Sequence, residues 1–251
     1  MNLRRLVLAV SALFALAACA TQVPPPKIDL AGQDAGAAWA RVLDRRVDDA
    51  GRIDFAAMKG DSRDLDLMVA SLAATDPASA PAKYPTPADR IAFHLNAYNA
   101  LAMYNVLHAG VLPVDTATFF YFRELQLGGR WISLYAYEND VIRPLGEERV
   151  HFALNCMVRA CPRLPRQPFT AAKLEQQLDD AAREFFAKTL HVRIDDAART
   201  VWFSQILEFY TGDFLQKAPS LIEYANRYRT EKIPTDYKVQ FTPYDWTLNQ
   251  R

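Results

Sequence analysis

The segment from Thr86 to Gly110 constrains the fold of this chain more than any other. Between Ile91 and Leu107, apolar residues fall on nearly every face of a helix, which is typical of a helix buried in a protein core. Thr86 followed by Pro87 favours a helix start, because the hydroxyl can cap the first turn and proline suits the first helical position. Gly110 is a typical helix end. The sequence therefore predicts a long central helix.

Two polar residues of this helix, Asn96 and Asn99, lie three apart and therefore share a face. A buried amide needs hydrogen-bond partners. One interpretation is that the two amides bond to the backbone of neighbouring loops and fix those loops. The other is that one of them orients a catalytic imidazole or donates a hydrogen bond to an oxyanion.

The remaining patterns predict further helices and short hairpins. Gly128-Gly129 separates two strand-like segments, which is a strong hairpin signal, and a second hairpin is indicated within residues 192–203. Residues 170–188 have the periodicity of an amphipathic helix. These elements predict an α+β fold: a single, mostly helical domain over residues 38–251, with a central buried helix and short β-hairpins.

The beginning of the chain resembles a bacterial lipoprotein signal. Two arginines precede the apolar run Leu6–Ala18, which is shorter than the roughly 20 residues of a membrane-spanning helix. The run ends in Leu16-Ala17-Ala18-Cys19, which resembles a lipobox. This resemblance implies cleavage of residues 1–18 and lipidation of Cys19. Because Ala20 stands where aspartate would favour the inner membrane, we expect an outer-membrane anchor that faces the periplasm.

Residues 19–37 are predicted to be the lipidated N-terminus and a flexible tether, since Pro24-Pro25-Pro26 favours an extended spacer. Cleavage would remove two arginines and no acidic residue from a chain with 29 basic and 29 acidic side chains, so the mature chain would carry a formal charge of −2. This balance excludes nucleic acid as an expected partner. The expected partners are the bacterial membrane, through Cys19, and an unknown envelope substrate or protein.

The residues suited to chemistry are concentrated in one short stretch. Once Cys19 is lipidated, Cys156 and Cys161 are the remaining cysteines, and a disulfide is the default interpretation of such a pair in an exported protein. His151 precedes Cys156 by five residues. A helical pattern covers Glu147–Asn155, and on a continuous helix the two side chains would lie about 140° apart around the axis.

In the enzymatic interpretation, Cys156 is a nucleophilic thiolate and His151 is its general base. A third residue would orient the imidazole, as in a catalytic triad. The candidates for that third position are Asn96, Asn99 and Glu138. Arginines near the sulfur would lower its pKa and hold an anionic substrate. The candidate substrate-binding residues are Arg143, Arg159 and Arg163.

Two other interpretations stay open. The metal interpretation uses His151, Cys156 and Cys161 as three zinc ligands, although their spacing matches no familiar zinc pattern, and no metal site is therefore predicted. The structural interpretation pairs Cys156 with Cys161 in a disulfide beside a buried histidine. No cofactor is predicted, since the chain has no phosphate-binding glycine loop or dinucleotide motif. The other histidines are predicted to be non-catalytic: His94, His108 and His191.

A set of short motifs spread over residues 39–249 resembles the bacterial family catalogued as domain of unknown function 547. The motifs are Ala92-Phe93, Asn96-Ala97-Tyr98-Asn99-Ala100-Leu101, Gly128-Gly129, Ser133-Leu134 with Glu138 and Arg143, His151-Phe152-Ala153-Leu154-Asn155-Cys156, Cys161-Pro162, Leu174 with Gln177-Leu178, Ser204-Gln205-Ile206, Tyr210 with Asp213-Phe214, and Tyr244-Asp245-Trp246 with Leu248-Asn249. The resemblance implies a shared fold, and it implies no particular activity.

Two functions are therefore expected from the sequence. The first is a lipid-anchored envelope protein with a cysteine-dependent hydrolase or acyltransferase-like domain that uses Cys156 and His151. The alternative is a non-catalytic binding or scaffold domain with a structural Cys156–Cys161 disulfide. The sequence leaves open whether the protein is an enzyme.

Overall fold

The computed structural model describes residues 20–251, and its centre is the long helix that the sequence predicts. The helix begins as expected, because the Thr86 hydroxyl accepts a hydrogen bond from the backbone N–H of Asp89 at 3.1 Å and the Asp89 carboxylate accepts one from the N–H of Thr86 at 3.0 Å. Most residues from Ile91 to Val106 are buried. Over this stretch the helix is therefore surrounded by protein, as its apolar sequence predicts.

Most elements follow one another along the chain with short connections, and a long loop covers residues 153–170. The α-helices are α1 (Ala35–Arg46), α2 (Phe55–Gly60), α3 (Arg63–Ala74), α4 (Pro87–His108), α5 (Leu134–Ala136), α6 (Leu174–Ala187), α7 (Ile206–Phe209), α8 (Thr211–Leu215) and α9 (Leu221–Tyr228). Short 3₁₀ or π segments occupy Pro81–Lys83, Ala117–Phe122, Tyr137–Ile142, Arg143–Leu145, Glu148–Phe152 and Ala171–Lys173. The strands are β1 (Thr21–Gln22), β2 (Arg123–Leu127), β3 (Arg130–Ser133), β4 (Val192–Asp195), β5 (Thr200–Ser204) and β6 (Lys238–Thr242).

The strands form two small mixed sheets. In the first, β2 pairs with β1 in parallel and with β3 in antiparallel orientation. Gly128 and Gly129 make the β2–β3 turn with φ values of 55° and 81°, a conformation that favours glycine. In the second sheet, β5 pairs with β4 antiparallel and with β6 in parallel. Both predicted hairpins are confirmed, and so is the single α+β domain.

Two groups of buried apolar side chains form the core. The first surrounds α4, and the second lies between α6, the second sheet and helices α7 to α9. The segment Glu148–Phe152 joins them, because Val150 belongs to the first group and Phe152 to the second. His151 lies between these two residues and is buried at the junction of the groups.

The first described residues lie against the domain. Thr21 and Gln22 pair with Arg123 and Glu124, and the Tyr104 hydroxyl donates a hydrogen bond to the Pro24 carbonyl at 3.1 Å. The beginning of the predicted tether is therefore in contact with the folded domain. The signal peptide and the lipidated Cys19 are predictions that lie outside the described residues. Within residues 20–251, no helix is both long and apolar enough to cross a membrane.

The helix predicted over Glu147–Asn155 is shorter in the structure. It is the 3₁₀ segment Glu148–Phe152, and the chain then enters a loop in which Met157 has a left-handed φ of 67°. The Asn155 side chain bonds to the loop backbone, which competes with helix continuation. The 140° separation of a continuous helix therefore does not apply to His151 and Cys156.

Candidate functional site

The loop of residues 153–162 carries both cysteines and is fixed by two buried amides. Asn99 donates a hydrogen bond to the carbonyl of Ala153 at 3.0 Å and accepts one from the N–H of Asn155 at 2.7 Å. The Asn155 side chain in turn donates to the carbonyl of Pro162 at 2.7 Å and accepts from the N–H of Met157 at 2.8 Å. Asn99 of helix α4 thus fixes the start of the loop, and Asn155 connects that start to the loop's end at Pro162.

Asn96 fixes a different segment of backbone, at Phe169. It accepts hydrogen bonds from the Trp39 indole at 3.1 Å and from the N–H of Phe169 at 3.0 Å, and it donates to the carbonyl of Phe169 at 2.8 Å. These hydrogen bonds match the interpretation in which Asn96 and Asn99 fix neighbouring loops. Neither amide bonds to the His151 imidazole within the described part of the chain.

The two sulfur atoms lie close together without a covalent bond. Cys156 and Cys161 are free cysteines, and their Sγ atoms are 2.7 Å apart, compared with about 2.05 Å in a disulfide. The disulfide that the sequence offers as an alternative is therefore not present. Instead, Cys161 Sγ accepts hydrogen bonds from the backbone N–H of Cys156 at 3.1 Å and from the Tyr244 hydroxyl at 3.4 Å.

These contacts shift the pKa values of the two thiols in opposite directions. Burial opposes ionisation of Cys161, but the hydrogen bonds that its sulfur accepts from Cys156 and Tyr244 outweigh burial and lower its pKa. The hydrogen bond to Cys161, together with burial, raises the pKa of Cys156 well above its ordinary value. Of the two thiols, Cys161 is therefore the one that ionises more readily, and Cys156 would then donate its S–H to the thiolate.

The imidazole of His151 is anchored through one nitrogen. Its Nε2 lies 2.9 Å from Oδ2 of Asp213, and Arg143 donates to both carboxylate oxygens of Asp213 at 2.8 Å. The hydrogen bonds from His151 and Arg143 hold the pKa of Asp213 far below its usual range. Because an ionised carboxylate can only accept, the Nε2–H of His151 donates the hydrogen bond to Asp213.

The other nitrogen of His151 has no hydrogen-bond partner among residues 20–251. Glu138 Oε1 lies 3.8 Å from Nδ1, which is too far for a hydrogen bond, and Glu138 accepts one from the Tyr98 hydroxyl at 3.3 Å. The ring stacks on Tyr210 with a centroid distance of 3.7 Å. An imidazole with one nitrogen held by a carboxylate and the other unpartnered has the arrangement of a general base.

The cysteine pair and this imidazole line one cavity of about 60 Å³. Since liquid water occupies about 30 Å³ per molecule, the cavity has room for a small group such as a carbonyl. It is far smaller than the roughly 300–1,000 Å³ of sites that bury a whole small molecule. The lining residues are Tyr98, Phe120, Glu138, His151, Leu154, Cys156, Cys161, Ile206, Phe209, Tyr210, Tyr244 and Trp246.

The three arginines predicted to bind substrate are not brought together. Arg143 is engaged with Asp213, behind the imidazole. Arg163 pairs with Glu184 at 2.6 Å, and Arg159 is exposed. None of the three lines the cavity of the cysteines. Their role in substrate binding stays a prediction. Of the three, Arg143 alone bonds to a residue of this site, Asp213.

Asp213 was not among the site residues expected from the sequence. It lies 62 residues after His151, and a pairing over that distance leaves no local pattern. The only signal was its place in the motif Tyr210…Asp213-Phe214. The same motifs contain three further residues of the site for which no role was predicted: Tyr98, Tyr210 and Tyr244.

The metal interpretation finds no geometry to support it. In the part of the chain from residue 20 onward, no group of three or more histidine, cysteine, aspartate or glutamate side chains is placed to hold a metal ion. Nε2 of His151 is directed to Asp213, and the two sulfurs are directed to each other.

Comparison with known families supports the resemblance in part. Residues 83–186 match the family described as protein of unknown function, DUF547, so this part of the chain is a DUF547 family domain. It contains α4 and both cysteines, whereas Asp213 and Tyr244 lie after it. Searches of the curated proteins and of the solved structures found no match.

Proposed function

We propose that this protein is a cysteine-dependent hydrolase or acyltransferase, in which the Cys156–Cys161 pair supplies the nucleophile and His151 is the general base. One observation carries the proposal. A thiol pair with a lowered pKa on one sulfur shares a small cavity with an imidazole whose Nε2 is held by Asp213 and whose Nδ1 is unpartnered. Nucleophilic cysteine catalysis needs a thiolate and a neighbouring base of this kind.

The first step is attack on a carbonyl group. We assign the attack to Cys161, because its pKa is lowered and that of Cys156 is raised. Cys156 as the nucleophile is the sequence-based alternative. A bond forms between Cys161 Sγ and the carbonyl carbon, and the bond to the leaving group breaks. The leaving group departs as its anion or takes a proton from solvent. The Cys156 S–H and the Tyr244 hydroxyl hold the sulfur in place by their contacts at 2.7 and 3.4 Å.

The second step releases the acyl group. His151 Nδ1 accepts a proton from water, or from the hydroxyl or amine of an acceptor molecule, and the resulting nucleophile attacks the thioester carbon. The carbon–sulfur bond breaks, the thiolate re-forms on Cys161, and the protonated Nδ1 of His151 releases its proton to solvent. Asp213 keeps the imidazole in the required tautomer and stabilises its protonated form, as the carboxylate of a catalytic triad does. Arg143 positions Asp213.

The proposal can be tested with 4-nitrophenyl acetate, a small activated ester whose acetyl group suits the cavity. Cys161→Ser should lower the release of 4-nitrophenolate about a hundredfold or more, because a hydroxyl has no accessible anion at neutral pH. Cys156→Ser keeps a hydrogen-bond donor toward Cys161, so we expect a loss below about tenfold. A Cys161→Ser variant with full activity would overturn the assignment. Loss confined to Cys156→Ser would favour the sequence-based nucleophile.

We also propose that lipidated Cys19 anchors the protein in the outer membrane, facing the periplasm, where its substrate would be an envelope component. The support is the lipobox-like sequence. In fractionated cells, Cys19→Ser should move the protein from the membrane to the soluble fraction. Cys156→Ser is the matched control and should remain with the membrane. A Cys19→Ser protein that stays in the membrane fraction would show that another feature anchors it.

A further inference from the structure

The exposed apolar side chains of this protein are concentrated in one region. Of the eight large apolar residues that are exposed within residues 20–251, five lie between positions 112 and 135. Single exposed apolar residues are common on soluble proteins, whereas a group of them marks an interaction site. The five form what we call the apolar surface: Leu112, Val114, Tyr121, Phe122 and Tyr135.

Hydrogen-bonded turns and one ring contact keep these residues close to one another. The Leu112 carbonyl accepts a hydrogen bond from the N–H of Asp115 at 3.0 Å, and the Asp115 carbonyl accepts one from the N–H of Phe119 at 2.9 Å. The stretch before Tyr121 is therefore a series of compact turns. The Tyr121 ring stacks on the ring of Tyr135 at a centroid distance of 4.4 Å, which joins the end of this stretch to helix α5.

The chemistry of the region suits a lipid surface. Residues 110–122 contain one charged side chain, Asp115, so they offer little for a charged partner to bind. Tyrosine is enriched where proteins meet the boundary between lipid and water, because its ring is apolar and its hydroxyl is polar. Tyr121 and Tyr135 are about half exposed and provide such rings.

The first strand places the beginning of the described chain beside the apolar surface. Strand β1 runs parallel to β2 with Thr21 opposite Arg123, and Phe122 directly precedes Arg123. The chain enters both strands of a parallel pair from the same end, so Ala20 lies on the side of Phe122. Cys19 is two residues before Thr21, and this length of chain spans at most about 8 Å. A lipid on Cys19 would therefore enter the bilayer near Phe122, without a long spacer.

We propose that the apolar surface lies against the lipid bilayer and orients the domain on the membrane. The inference rests on the proposed lipidation of Cys19, and it adds which face of the domain the anchor holds against the lipid. The acyl chains give stable attachment, and a surface of this size gives only weak binding by itself. Phe120 belongs to the same segment and lines the cavity of the cysteines, so this orientation places the proposed active site close to the membrane.

The test uses a tryptophan at Val114, which is the most exposed of the five residues at 65%. The lipidated Val114→Trp protein is reconstituted into vesicles of phosphatidylethanolamine and phosphatidylglycerol, with or without acyl chains that are brominated near the headgroups. Bromine quenches tryptophan fluorescence on contact. We expect the brominated lipid to quench at least about half of the emission that Val114→Trp adds to the unsubstituted protein, because an interfacial tryptophan lies at headgroup depth.

Leu190→Trp is the matched control. Leu190 is 53% exposed and lies outside the apolar surface, between α6 and β4. We expect the emission that this tryptophan adds to stay unquenched. Equal quenching of the two tryptophans in lipidated protein would overturn this inference and leave the anchor intact. An intact mass without acyl chains would overturn the anchor and this inference together.

A second copy of the chain is the competing partner for the apolar surface. In sedimentation velocity, the Cys19→Ser protein should remain a monomer. A dimer that Val114→Ser dissociates, together with an unquenched Val114→Trp, would assign the surface to self-association and overturn the inference. The thermal melts of the Val114 and Leu190 variants should match that of the parent protein, since both positions are exposed.

Discussion

Replacing Asp213 by asparagine should lower the rate of 4-nitrophenyl acetate hydrolysis by roughly 10²–10⁴-fold. The amide has nearly the same size as the carboxylate and can still contact Arg143, so the fold should persist. It cannot hold the proton on Nε2 of His151 as the carboxylate does, and it cannot stabilise the protonated imidazole. The measurement is the steady-state kcat for the ester, which includes the release of the acyl group, with the thermal melt recorded on the same samples.

Asp179→Asn is the control for this prediction. Asp179 also accepts a hydrogen bond from an arginine, Arg149, at 2.9 Å, but it does not line the cavity of the cysteines. We expect its substitution to leave kcat unchanged. If Asp213→Asn retains full activity while its melt is normal, His151 is not acting as a base oriented by this carboxylate.

The largest effect on stability is expected for Phe152→Ala, which should lower the free energy of unfolding by about 3–5 kcal/mol. Phe152 is 1% exposed, and its ring contacts four other aromatic rings at centroid distances between 4.7 and 6.3 Å. Those rings belong to Phe185, Phe186, Phe214 and Tyr224. Truncation would leave a cavity where the two parts of the core meet. Urea unfolding measures the change.

Phe122→Ala is the matched control, because Phe122 is 40% exposed and its loss opens no buried space. We expect a change below about 1 kcal/mol. A comparably small loss for Phe152→Ala would mean that the segment Glu148–Phe152 does not join the two apolar groups tightly. The placement of His151 would then depend on its bond to Asp213 and its stacking on Tyr210.

Local signals in the sequence were sufficient for the secondary structure near caps and turns. The Thr86 cap and Gly128-Gly129 each depend on neighbours within a few residues, and both were predicted correctly. The segment Glu147–Asn155 was predicted too long. Its periodicity suits a helix, but Asn155 bonds to Pro162, seven residues further on, and the helix ends earlier.

The site was harder to predict because its contacts join distant parts of the chain. The apolar pattern predicts that Asn99 lies on a buried helix face. It does not show that the amide bonds to the carbonyl of Ala153, 54 residues away. The arginines close to the cysteines in sequence suggested a site for an anionic substrate. In the fold, Arg143 meets Asp213 over 70 residues and Arg163 meets Glu184 over 21. Each of these arginines is therefore paired with a carboxylate that the local sequence does not contain.

The state of the cysteines also depends on distant residues. Their spacing is compatible with a disulfide, a metal site or a thiol pair, and the sequence offers no means of choosing among these. The choice follows from the backbone N–H of Cys156 and the hydroxyl of Tyr244, which both donate to Cys161. Tyr244 reaches the sulfur from 83 residues further along the chain.

The central claim is that Cys161 loses its proton at a lower pH than Cys156. The most direct measurement is the rate of alkylation of each cysteine by iodoacetamide as a function of pH, followed by peptide mass spectrometry. We predict that Cys161 reacts with a midpoint below the pKa of about 8.5 of a free cysteine, and that Cys156 reacts only at higher pH. Equal rates with midpoints at or above that pKa, or no alkylation without prior reduction, would contradict the claim.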